Sequence, residues 1–119
     1  VTALAECIGR TKAELADATV PAPLFGHVGD GNFHVVFPIL PGNREELAQV
    51  ERLSRRIAEI ALELGGTCTG EHGIGLGKRE LLAREHGPGV EVMRAIKRAL
   101  DPQGIMNPGK VLPDGDVET

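Results

Sequence analysis

Two histidines, His27 and His34, flank a turn-forming stretch in the segment GHVGDGNFH. Asp-Gly supplies the positive φ angles that a tight two-residue hairpin turn demands. With Asp30-Gly31 as that loop, His27 lies directly opposite His34, and a four-residue loop starting at Gly29 keeps the same pairing. Cross-strand partners have Cβ atoms about 4.5 to 5.5 Å apart. Both imidazoles can then reach one ion. The plainer reading is a pair of polar residues on the solvent face of a hairpin.

Farther along, Glu71-His72 sits in the glycine-rich run TCTGEHGIGLGK. Two histidines and a carboxylate form an open ligand set for a divalent metal, and these ligands alone do not choose between Zn, Mn and Fe(II). Glu71 is the expected third ligand. Neighbouring residues of an extended segment point in opposite directions, so His72 is expected to face another side of the cavity, free to move a proton. A metal with open positions can hold a hydroxyl and lower its pKa. The plainer reading makes Glu71 a cap or surface carboxylate and His72 a loop hydrogen-bonder.

The same run does not fit a nucleotide-binding loop. The residue five before Gly77 is His72 and Lys78 is followed by Arg79, which breaks the P-loop spacing, while Lys78 stands where a dinucleotide fingerprint from Gly73 needs Gly or Ala. These glycines are expected to allow tight turns or close approach to a ligand. Cys68, near Glu71, could be a ligand or a reactive thiol, but packing as a small inert hydrophobe is the preferred reading. His86 reads as structural.

The elements that must position these groups follow from apolar spacing. Leu4, Cys7, Ile8, Thr11 and Leu15 predict a helix that Pro21 and Pro23 close off. PLFGHVGDGNFHVVFPIL predicts two short strands around the turn. Asn43 and Glu46 suggest a capping box, and apolar residues from Leu47 to Leu64 continue that helix to Gly65-Gly66. Thr67–Thr69 suggests a short strand, Lys78–Arg84 a brief helix, and Met93, Ile96 and Leu100 another that Asp101-Pro102 ends. The remainder is turn-rich, and its last six residues are polar enough to be disordered. The expected fold class is α+β, with helices packed on one face of a small antiparallel sheet.

Composition narrows the function. The 119 residues suit one domain with a modest core, and a start at Val1 instead of Met suggests a processed or excised piece. A net charge of −4 without a basic cluster argues against nucleic acid. No apolar run approaches the roughly 20 residues of a membrane span. Two widely spaced cysteines suggest reduced thiols in a cytoplasmic setting. With no Trp or Tyr and only three Phe, a large aromatic cofactor would need walls from elsewhere.

The segments GHVGDGNFH, GGTCTGEHGIGLGK, MRAIKRALDPQGIMNPGK and VLP, in this order, closely resemble the C-terminal part of the FAD-linked oxidases, a family that includes glycolate oxidases and D-lactate dehydrogenases. The similarity runs from near Val1 to about Pro113, leaving 114–119 as a polar tail. The resemblance implies a ferredoxin-like substrate domain belonging to an enzyme that oxidises a small D-2-hydroxy acid to the 2-oxo acid. Hydride passes to FAD held in an N-terminal domain of the same chain, which would lie upstream. The isolated fragment is then expected to be inactive, and the full enzyme to be cytoplasmic or peripheral to the inner membrane.

By position, His27 and His34 match the family's metal-ligand histidines, Glu71 its carboxylate ligand and His72 its proton acceptor. Asn107 and Lys110 match the segment that approaches the flavin, where an amide and a cation could bond ring or phosphate oxygens. One departure is Val36, where some 2-hydroxyglutarate-type relatives carry a polar residue; this points towards the glycolate or lactate branch. The alternative from another class is a metal-binding or regulatory module without redox chemistry. A stand-alone two-histidine, one-carboxylate Fe(II) oxygenase fits poorly, since its usual scaffold is all-β.

Overall fold

A computed structural model describes residues 2–113. The polar tail expected at 114–119 lies outside the described residues. The fold class is α+β: among the described residues there are four α-helices and one two-stranded antiparallel sheet. They divide after Gly66 into two compact units.

In the first unit, helix α1 (Leu4–Leu15) buries Cys7 and Thr11, and helix α2 (Arg44–Glu63) buries Ala58 and Ile60. The two helices pack on each other, with Val20 of the linking segment also buried. Gln49 of α2 holds that segment by accepting from both the backbone N–H (3.1 Å) and the hydroxyl (3.0 Å) of Thr19. An ion-pair network runs along the exposed side of the contact. Arg10 pairs with Glu63, and Arg56 reaches Glu14 at 3.0 Å and Glu63 at 2.7 Å. Solvent screens such exposed pairs, so the buried apolar seam carries more of the packing.

Both ends of α2 follow from the sequence. Asn43 Oδ1 accepts from Glu46 N–H at 3.1 Å, which is one half of the expected capping box. The other half differs: Glu46 Oε2 accepts from Leu40 N–H at 2.9 Å, while Asn43 N–H donates to Leu40 O. At the other end Gly65 N–H bonds Leu62 O at 3.0 Å and Gly66 N–H bonds Ala61 O at 2.8 Å, with Gly65 at φ 71°. These bonds form a Schellman motif, which needs its left-handed residue to be cheap.

Strands β1 (Leu24–Phe25) and β2 (His34–Val35) form the sheet, in the register Leu24 with Val35 and Phe25 with His34. Helix–helix contact carries more of this unit's packing than the small sheet does.

In the second unit, α3 (Arg79–His86) buries Leu81 and Leu82 and packs on α4 (Gly89–Leu100), which buries Val90. Gly87, at φ 47°, joins them. Along α4, Val92, Ile96 and Leu100 recur at intervals of four and are all exposed. The strand expected at Thr67–Thr69 does not form. Cys68 N–H donates at 2.9 Å to Glu85 of α3, a side-chain acceptor in place of a neighbouring strand.

Candidate metal centre and cofactor-facing segment

The turn between the histidines is not the tight Asp-Gly hairpin that the sequence suggests. Val28–Asp30 forms a short 3₁₀ turn, His27 O accepts from both Asp30 N–H (2.9 Å) and Asn32 N–H (3.2 Å), and of the Asp-Gly pair Gly31 alone takes positive φ. Val28 and Gly29 are thereby drawn into the loop instead of the strand. The register moves by two residues, so His34 lies opposite Phe25 and not His27. A slip of one residue would have turned the side chain to the other face, whereas a slip of two preserves it. His27 thus becomes a diagonal neighbour of His34.

The rings still meet. Their centroids are 5.9 Å apart at a 90° interplanar angle, and the Phe25 ring centroid lies 5.6 Å from that of His34. Gly26 makes this possible: a Cβ there would sit 2.4 Å from Phe33 Cα and 2.5 Å from Asn32 O. Only glycine lets the two chains close at that point.

Glu71 and His72 occupy a turn in the second unit, with Gly73 N–H donating to Gly70 O at 3.2 Å. The expectation that the two side chains diverge is not met, because a turn lacks the alternation of an extended strand. His72 Nε2 instead lies 3.4 Å from Glu71 Oε1. Both are exposed.

Asn107 and Lys110 close a turn of their own. Lys110 Nζ donates to Asn107 Oδ1 at 2.9 Å and Lys110 N–H to Asn107 O at 3.2 Å, with Asn107 at φ 47°. An ammonium carries three donors, and an amide carries an NH₂ besides its oxygen. That donor set suits flavin ring or phosphate oxygens, while the absence of Trp and Tyr leaves no wall for the ring system. The residues present fit a partial contact with FAD. The paired imidazoles of the first unit fit a borderline divalent cation by donor chemistry.

The sequence marks Asp101 only as a helix terminator, yet its buried carboxylate organises the turn-rich segment beyond α4. It accepts from Lys97 Nζ at 2.5 Å, Ile105 N–H at 3.0 Å and Met106 N–H at 2.9 Å. Lys97 above all, then the Met106 N–H, holds its pKa below the usual carboxylate value. The available signal was an Asp followed by a turn-rich segment. Cys68 is buried and its thiol is pushed up to about 11, by burial first and by Glu85 second. His86 ends α3 with Nε2 3.6 Å from Glu85 Oε1.

Residues 1–111 match the family described as FAD linked oxidases, C-terminal domain. A probable mitochondrial D-lactate dehydrogenase of Danio rerio is 50% identical over 113 residues, covering 94% of this chain and 23% of that protein. The mitochondrial D-lactate dehydrogenase (cytochrome) of Arabidopsis thaliana is 44% identical over 111 residues, covering 92% and 20% respectively. Glycolate oxidase subunit GlcD of Bacillus subtilis is 46% identical over 88 residues, covering 73% and 19%. The chain thus spans about a fifth of the length of these relatives.

Proposed function

This chain belongs to the family of FAD-linked oxidase C-terminal domains, and from that membership we propose that it serves a full-length oxidoreductase that converts a D-2-hydroxy acid to the 2-oxo acid, with hydride transfer to FAD. The observation that carries this reading is the family match over residues 1–111. The names of the relatives, D-lactate dehydrogenases and glycolate oxidase subunits, supply the substrate class. Residues 1–113 form the substrate domain, and an upstream FAD-binding domain is its partner. The substrate domain is ferredoxin-like, and its first strand and other substrate contacts come from upstream chain. Its setting is cytoplasmic or peripheral to the inner membrane; no described helix is long and apolar enough to cross a membrane.

His27, His34 and Glu71 supply the ligands of a divalent metal. When bound, the metal supplies positive charge that lowers the pKa of a hydroxyl and FAD supplies a two-electron acceptor. His72 accepts the substrate hydroxyl proton on a ring nitrogen, with the neighbouring Glu71 carboxylate helping to orient the ring. Asn107 and Lys110 donate to flavin oxygens. Val36 follows His34 by two positions, directly after β2, and is exposed. An apolar group there suits a small apolar C2 substituent, the hydrogen of glycolate or the methyl of D-lactate.

In the full-length enzyme, His72→Ala is expected to abolish turnover while metal content stays near wild type, and Glu71→Gln is expected to lower metal content. Steady-state kinetics and elemental analysis check both. Unchanged turnover in His72→Ala would sink the proton-acceptor assignment.

A further inference from the structure

Val111 holds a backbone conformation that a β-branched residue rarely takes. Its φ is 69°, and Leu112 N–H donates across it to Lys110 O at 2.9 Å, closing a three-residue γ-turn of the strained hand. Its own N–H donates to Gly75 O at 2.8 Å. Gly75 belongs to the loop that begins with Glu71-His72, and Val111 directly follows Lys110. One backbone hydrogen bond therefore ties the cofactor-facing turn to the loop that carries the proposed ligand and base.

The ends of this strap cannot easily move to release the strain. Arg94 Nη2 donates to Pro113 O at 2.7 Å, Lys97 Nζ donates to Met106 O, and Asp101 holds the N–H groups of Ile105 and Met106. Strained conformations persist where surrounding contacts over-determine them, and they concentrate at functional sites.

We propose that Val111 is a positioning residue that sets the Asn107–Lys110 turn in register with the Glu71-His72 loop, so that flavin contact and proton acceptance are arranged together. This rests on the oxidase reading above. The test uses the full-length holoenzyme with Val111→Pro, which removes both the N–H and the positive φ, and Val111→Gly, which keeps both. Val111→Pro is expected to weaken FAD binding about tenfold, the scale of one lost hydrogen bond. It should also shift the flavin absorption spectrum and lower kcat more than it raises KM. Val111→Gly is expected to rescue FAD binding and spectrum relative to proline.

Gly75→Ala gives a second route, since Gly75 is at φ 55°, where an L side chain strains the backbone that carries the acceptor carbonyl. It is expected to weaken FAD binding severalfold, and it carries the test if Val111→Pro does not fold. A wild type that holds no FAD overturns the oxidase reading and this proposal with it. A wild type that holds FAD, with a folded Gly75→Ala matching it in affinity and spectrum, overturns the coupling alone.

Discussion

At the scale of single residues, Gly26 decides whether the two imidazoles can meet, because any Cβ there collides with backbone of the returning strand. Gly26→Ala is expected to destabilise the chain by about 1–3 kcal/mol, the cost of overpacking. Thermal denaturation checks the stability, and metal affinity should fall with it if the histidines are ligands. The thiols make a different prediction. Cys68 is buried with its pKa at about 11, and burial also raises that of Cys7. Neither is expected to react with a disulfide reagent near pH 8 until the protein is denatured; rapid labelling of the native protein would contradict this. Asp101, whose folded pKa is depressed, adds stability above the ordinary carboxylate pKa and loses it as pH falls through the folded value. The Tm difference between wild type and Asp101→Asn should therefore shrink below about pH 4; a constant gap would count against the carboxylate's role.

At the scale of elements, both ends of α2 were legible because caps are local chemistry. The Asn43 cap and the Gly65-Gly66 stop lie where their residue types place them. Asn43→Ala and Gly65→Ala are each expected to cost about 1 kcal/mol, read as additive falls in denaturation midpoint. The partner of Glu46 was not legible, since the choice between Asn43 and Leu40 as donor depends on the path of the preceding loop. The hairpin shows the same division. Asp-Gly marked a turn correctly, but the 3₁₀ turn at Val28–Asp30 consumed residues that a tight hairpin would have left in the strand.

At the scale of the whole molecule, the chain spans about a fifth of the length of its relatives, and the proposed full-length oxidase makes its own predictions. An FAD-binding domain is expected in the coding sequence upstream. The full-length protein should bleach its flavin spectrum anaerobically on addition of D-lactate or glycolate. Metal removal by a chelator should suppress that bleaching, and a divalent metal should restore it. Bleaching by a fully metal-depleted protein would argue against a catalytic metal.

The sequence by itself determined the family, the α+β class, α1 and the caps of α2, because each depends on residue type at short or fixed spacing. It also singled out His27, His34, Glu71 and His72 as the residues able to do chemistry. Tertiary structure alone decided how the hairpin closes, that Glu71 and His72 turn towards each other, and that Asp101, Arg94 and Val111 fasten the segment around the Asn107–Lys110 turn. Side-chain direction and strap anchoring depend on the path of backbone that is neither helix nor strand. No periodicity records that path.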